Sequence, residues 1–279
     1  MFQRLITNLK YYFDSTLQLD KNHDLNEICQ FLLPSANIDH DLYKESGLLV
    51  ARNILDIKEI DLWRTTIENE ICREDYKFLH NKKNYWLTNL SNLSVGTDII
   101  SNEAILDILD ELIGTKRVFV GHDSVSVDYS VPGLHDDQNS HRELFGEKVY
   151  EDFSTTRVLF NLNSLNSMPQ RFGFVPGSHL RATKKIDYDF AKRNIEWVDV
   201  SHGSVVFFDP RVIHSAVAGS QKKYMVVLTY DNENQYVKDI YDYTFSERGQ
   251  GTSPKEELFW KKLDEKSLKP KFIDSFNEL

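Results

Sequence analysis

The sequence predicts a mainly β protein with helical flanks, its core an antiparallel barrel or jelly roll. Three observations carry that expectation. Short runs rich in Val, Phe and Tyr, bounded by Gly, Pro, Asn or Asp, crowd the stretch from Arg117 to Tyr230. No helical crossover pattern separates them apart from a short one at Asp187–Asn194, which argues against a parallel sheet. Longer helical periodicity is confined to the two ends of the chain. With 279 residues, 41% of them hydrophobic, the chain can bury a sizeable core and is too apolar for a disordered protein. The expectation is a single domain over 1–279, mostly helical over 1–115, with a β core over 116–232 and a C-terminal extension over 233–279.

In chain order, Leu5, Ile6, Leu9 and Phe13 recur at helical spacing, as do Leu25, Ile28, Phe31 and Leu32, before Pro34 stops the run. Gly47–Asn53 reads as a short strand. Asp56 then looks like an N-cap, with Glu59 at the capping-box spacing, and Ile57, Ile60, Trp63, Ile67 and Ile71 follow at helical period. Ser101–Ile113 is a second helix, ended by Gly114. Val118, Val120, Val125, Val127 and Tyr129 open the β core. Further strands are expected at Thr155–Asn163, Phe172–Val175, Glu196–Val200, Ser204–Phe208 and Tyr224–Tyr230. Residues 253–265 read as a closing helix, with Pro254 in its first turn.

Composition excludes several classes. A formal net charge of −10 is no footprint for nucleic acid, and a duplex-binding role is not expected. The two cysteines, Cys29 and Cys72, form neither a metal-type pair nor a disulfide framework, so a reduced, cytoplasmic setting is the simple reading. Met1–Tyr12 is too polar for a signal-peptide core, and no apolar stretch approaches the ~20 residues a membrane helix needs.

Among nine histidines, two begin an H-x-(D/E) pattern. His141-Arg142-Glu143 lies in a loop-like or helical context, where side chains two apart do not face together. His135-Asp136-Asp137 follows a β-run and the Pro132-Gly133 turn. On an extended strand, alternation would put His135 and Asp137 on one face. By spacing alone this motif is weak, since a surface histidine beside solvated acids looks the same. A distant histidine, His214 in Val212-Ile213-His214-Ser215, could close a third corner. Two imidazoles and one carboxylate on one side of a metal leave positions open for substrate chemistry, as in non-haem Fe(II) oxygenases.

The order of segments resembles the phytanoyl-CoA dioxygenase-like branch of the Fe(II)/2-oxoglutarate-dependent oxygenases. The similarity runs through Gly47–Arg64, His135/Asp137, the run Val158–Leu162, Pro176-Gly177-Ser178-His179, the Gly203–Phe208 strand and His214. It implies a double-stranded β-helix (jelly roll, cupin-like) core. It also implies an enzyme that holds Fe(II) on His135, Asp137 and His214, with 2-oxoglutarate and O2 as co-substrates. The implied reaction oxidises a C–H bond of a small organic molecule, such as an amino-acid derivative or natural-product intermediate, and releases succinate and CO2. Asp137 stands where related halogenases carry a small residue, which implies hydroxylation or another hydrogen-abstraction outcome rather than halogenation.

The family anchors the remote carboxylate of 2-oxoglutarate with an arginine soon after the distal histidine. This chain departs from that pattern: it has Lys222-Lys223 before Tyr224 and no arginine there. Lys223 is the candidate cation, a point charge without the fork of arginine, with Lys222, Arg157 and Arg211 as competitors. On Thr155–Asn161, alternation puts Arg157, Leu159 and Asn161 on one face. If that face looks inward, Asn161 and Arg157 reach the co-substrate. Ser215 is a further candidate contact, Tyr129 a pocket-lining one, and Gln138–Ser154 a segment able to order over substrate. His179 belongs to a loop near the site, whereas His122 and His202 read as structural or exposed. Two other functions remain open on the same residues: Zn-dependent hydrolysis, because this donor set also suits zinc, and a β-barrel binding module with a degenerate site.

Overall fold

The computed structural model describes residues 40–71, 77–80, 83–88, 90, 93–120, 124–127, 133–137, 155–163, 170–180, 186–217, 224–239 and 254–276. All described elements belong to one unit, Leu32–Leu279. Of the expected N-terminal helical part, residues 1–39 lie outside the described set, as do Tyr129, His122, His141, Glu143, Gln138–Ser154, Lys222 and Lys223.

Helix α1 (His40–Ser46) leads into β1 (Leu48–Ala51), whose four residues are all buried. Helix α2 (Ile57–Ile71) starts where the sequence places it. The Asp56 carboxylate accepts from the Lys58 amide at 2.7 Å, satisfying one of the orphan donors of the first turn. The reciprocal half of the expected capping box is replaced: Glu59 accepts instead from Asn102 Nδ2 at 3.3 Å, because a tertiary neighbour offers a donor there. Strands β2 (Lys77–His80) and β3 (Lys83–Thr88) form a hairpin the sequence did not announce. A short α3 (Gly96–Ile100) precedes α4 (Glu103–Ile113), whose N-cap is Asn102 and whose end is Gly114 with φ 90°.

The β core follows as β4 (Arg117–Phe119), β5 (Ser124–Val127), β6 (Thr156–Asn161) and β7 (Gln170–Phe174). Helix α5 (Tyr188–Asn194) is capped by Asp187. Then come β8 (Glu196–Val200), β9 (Val205–Phe208), β10 (His214–Val217) and β11 (Tyr224–Asn232), and finally α6 (Pro254–Glu265).

The described strands make two antiparallel sheets. The larger runs β1-β9-β6-β11-β5-β3-β2, with β4 also paired to β11; the smaller runs β10-β7-β8. Register decides which side chains face the space between them. Directly opposed residues share a face. Arg157 lies opposite Phe208 and Thr229, and Asn161 opposite Met225, which is itself opposite Ser126. The Asn161 amide donates across to the Val200 carbonyl of the smaller sheet at 2.9 Å, so this set looks inward. The alternate set looks outward to the helices. Phe160 meets Trp63 of α2 at 6.3 Å between centroids, and the Tyr230 hydroxyl donates to Ile100 O of α3 at 2.6 Å. Both faces of the large sheet are thus covered, which explains why β9 is buried at every position rather than alternating. Among the described residues, no helix is long and apolar enough to cross a membrane.

Candidate metal centre

The site is assembled by backbone pairing between two distant segments. The His135 amide donates to His214 O at 3.0 Å, the His214 amide returns to His135 O at 2.8 Å, and the Asp137 amide donates to Pro210 O at 3.0 Å. The extended strand expected around His135 is a single antiparallel bridge to His214, with Asp137 in the turn that follows. Gly133, at φ 102°, supplies the backbone conformation that turns the chain into the bridge. The convergence expected of the three residues nevertheless holds. His135 Nε2 lies 3.7 Å from Asp137 Oδ1, and His214 Nε2 lies 3.6 Å from Asp137 Oδ2. One ligand atom from each residue falls within 4.8 Å of the others, the one such His/Cys/Asp/Glu cluster among the described residues.

The ring orientations are fixed by the chain itself. His135 Nδ1 contacts Gly133 O at 3.0 Å and His214 Nδ1 contacts Val212 O at 2.9 Å. A carbonyl partner requires the proton on Nδ1, which leaves a lone pair on each Nε2, the atom facing Asp137. Burial pushes the His214 imidazole down to about 4, against the pull of Asp137 in the other direction. His214 is therefore neutral near pH 7, the form a metal needs. Its ring stacks on Phe172 at 5.5 Å and 19° and meets Phe208 at 5.0 Å, one phenyl from each sheet. Arg157 reaches the site from β6, its guanidinium 3.1 Å from Asp137 Oδ2. Two imidazole nitrogens and an oriented carboxylate this close together fit a divalent transition metal, whose bonds of roughly 2 Å bring cis ligand atoms to about 3 Å apart.

No family model matches the sequence, and no curated protein matches it by sequence. Solved structures do match. The non-heme alpha ketoglutarate dependent carbocyclase SnoK from nogalamycin biosynthesis superposes with a TM-score of 0.58 at 18% identity, over 72% of this chain and 86% of that one. The epimerase SnoN, in complex with Fe3+, alpha ketoglutarate and nogalamycin RO, gives 0.56 at 15% over 83% and 94%. EctD from S. alaskensis, with 2-oxoglutarate and 5-hydroxyectoine, gives 0.56 at 13% over 77% and 79%. The fold is that of the 2-oxoglutarate-dependent oxygenases. These neighbours share a cupin-like superfamily with the phytanoyl-CoA dioxygenase-like branch that the sequence resembles.

Within this oxygenase fold the remaining candidates separate. Arg157 sits at the triad, on the inward face of β6. Asn161 shares that face farther along the strand, where its amide is committed to Val200 O and its Oδ1 accepts from the Asn163 amide at 3.3 Å. Ser215 neighbours His214 on β10, so alternation turns it to the opposite face, across from Gly173. Arg211 is held bidentately by Asp209, with Nε and NH2 at 2.6–3.1 Å from its carboxylate oxygens. His179 contacts Lys44 O at 2.9 Å, tying its loop to α1, and His202 lies in the turn before β9.

One supporting residue escaped the sequence reading. Buried Ser178 accepts the Ile213 amide on its Oγ at 2.8 Å, immediately before the distal ligand. The signal was present in Pro176-Gly177-Ser178-His179, but the partner, 35 residues downstream, was not.

Proposed function

We propose that the chain is an Fe(II)/2-oxoglutarate-dependent oxygenase acting at a C–H bond of a small organic molecule, built on a double-stranded β-helix core. The observation that carries this is the convergence of His135, Asp137 and His214 between two antiparallel sheets, with both Nε2 atoms turned toward the carboxylate. His135 and His214 would hold the iron through Nε2 and Asp137 through a carboxylate oxygen. Bound iron supplies oxygen activation coupled to decarboxylation of 2-oxoglutarate to succinate and CO2.

The rest is the work of the chain. Phe172 and Phe208 keep water from the buried side of His214. The Gly133 and Val212 carbonyls hold the two rings in place, and Arg157 fixes one Asp137 oxygen. Because the carboxylate position is filled, no place is left for a halide, and hydroxylation or a related hydrogen abstraction is the outcome. Lys223 supplies positive charge for the remote carboxylate of the co-substrate. Structural neighbours named for nogalamycin biosynthesis or bound to 5-hydroxyectoine support an amino-acid derivative or natural-product intermediate as substrate.

The test is aerobic incubation of Fe(II)-loaded protein with 2-oxoglutarate and a metabolite library. Succinate together with a product one oxygen heavier is expected, and both disappear in Asp137→Ala. Turnover that is supported by Zn(II) and needs neither oxygen nor 2-oxoglutarate would replace this reading with a hydrolase. Wild-type turnover in Asp137→Ala would remove the triad from the chemistry.

A further inference from the structure

The loop that carries the distal histidine is braced from behind by helix α1. Between Asp209 and Ile213, three backbone groups set the triad. Pro210 O receives the Asp137 amide at 3.0 Å, Val212 O holds His214 Nδ1 at 2.9 Å, and the Ile213 amide donates to Ser178 Oγ at 2.8 Å. Both this loop and the Ser178 segment are joined to the end of α1. The Asp209 amide donates to Gly47 O at 2.9 Å, and the Gly177 amide donates to Ser46 O at 3.0 Å. His179 Nε2 lies 2.9 Å from Lys44 O, which places its proton on Nε2. The last carbonyls of a helix find no donor within it, so residues 177–179 cap α1 while α1 fixes them. The helix also reaches β6: Tyr43 Oη lies 3.0 Å from Thr156 Oγ1, next to Arg157, whose guanidinium meets Asp137.

These joints meet at Gly47. Its φ is 78°, a conformation that side chains resist. Space forbids a side chain there as well. A Cβ would lie 2.4 Å from Val212 Cγ2 and 2.6 Å from His179 Nδ1, closer than real Cβ atoms come. Any substituent must therefore displace one of them. Val212 is fully buried, and moving it moves the carbonyl that holds the His214 ring. Moving His179 releases Lys44 O and disturbs the adjacent Ser178. Gly203 offers the contrast. Its φ is 76°, almost the same, but a Cβ there would meet only Leu55 O at 3.2 Å and Asn53 Cα at 3.7 Å.

Resting on the reading of His135, Asp137 and His214 as a metal centre, we infer that Gly47 and His179 are positioning residues of that centre. Packed against each other and against Val212, they hold the Val212 carbonyl, and through it the His214 ring, in the ligating orientation. Neither belongs to the triad; both act through the loop in front of them.

The test is equilibrium binding of Mn(II), read beside urea unfolding, with the visible absorption of Co(II)-loaded protein reporting coordination geometry. Gly47→Ala should lower Mn(II) affinity by about tenfold, the scale on which groups that orient metal ligands act, and shift the Co(II) bands. Gly203→Ala, under nearly the same backbone strain, should lose stability yet keep wild-type affinity and spectrum. His179→Leu should also lower Mn(II) affinity by about tenfold. His179→Gln, whose amide can donate to Lys44 O, should recover part of that loss. If Gly47→Ala does not fold, the His179 pair decides. A folded Gly47→Ala, or a His179→Leu, that binds Mn(II) as tightly as wild type with an unchanged Co(II) spectrum would overturn the inference and leave the brace to stability alone. A wild-type protein that binds neither ion more tightly than Asp137→Ala would overturn the metal centre itself, and the positioning role with it.

Discussion

His214 carries the largest electrostatic consequence of any single residue at the site. Burial lowers its pKa to about 4 from 6.5, so between those values the unfolded chain binds a proton that the folded chain refuses. Stability is then fully present above pH 6.5 and is lost as pH falls toward 4, by up to about 3 kcal/mol over the window. Half-buried His179 is shifted in the same direction, chiefly by desolvation, and adds a smaller part to the slope. Urea unfolding of metal-free protein at pH 7.0, 5.5 and 4.5 should show this loss, and His214→Gln should flatten the curve. Arg157 acts on a different quantity. Its contact with Asp137 Oδ2 at 3.1 Å orients the ligand carboxylate, and groups that orient metal ligands typically contribute 10–100-fold in affinity. Arg157→Met should weaken Mn(II) binding by about tenfold, with Arg157→Lys recovering part of the loss; unchanged affinity in the methionine variant would deny Arg157 this role.

At the level of elements, the outcome shows what a one-dimensional pattern can carry. The strand expected at Glu196–Val200 is found with those bounds, and α2 and α6 begin where Asp56 and Pro254 place them. Alternation and capping are local signals, and these elements obey them. Spacing and bounding turns made His135, Asp137 and His214 candidates only weakly, and the order of segments shared with the oxygenase family singled them out; the structure brings the three side chains together. Three things were not legible. Strand β10 begins at His214 itself and is only four residues long, too short for a period to show. The β2–β3 hairpin mixes Lys, Asn and His with its apolar residues, which hides alternation. The inward facing of Arg157 and Asn161 depends on cross-strand register, which is fixed by partners far away in sequence. Ser178 shows how such a partner works: its hydroxyl stands in for a strand neighbour at Ile213 N. Ser178→Ala strands a buried amide, a cost of about 1–3 kcal/mol, next to the residue whose ring must hold still. Urea unfolding should register the loss of stability, and Mn(II) affinity should fall with it while the far-ultraviolet circular dichroism stays unchanged.

For the whole molecule, the site exists only when two distant segments are joined. His135 and Asp137 reach His214 through a single bridge, a mutual pair of amide–carbonyl bonds between residues 79 positions apart. In the unfolded chain the third ligand is remote, and nothing fixes Nδ1 of either ring to a carbonyl. On the proposed function, a metal held by these three residues would bind the native state almost alone, and its binding free energy would become folding free energy. At an Mn(II) concentration 100-fold above the dissociation constant, the native state gains about 2.7 kcal/mol, which for a chain of this size raises the melting temperature by about 5 °C. The chain's net charge of −10 supplies the control, since exposed carboxylates attract divalent ions without any designed site. Screening by salt suppresses that contribution, so the shift should persist in 0.5 M NaCl in the wild type and fall below about 1 °C in Asp137→Ala. Equal shifts in the two proteins at high salt would place the ion elsewhere on the acidic chain and leave His135, Asp137 and His214 as neighbours without a metal.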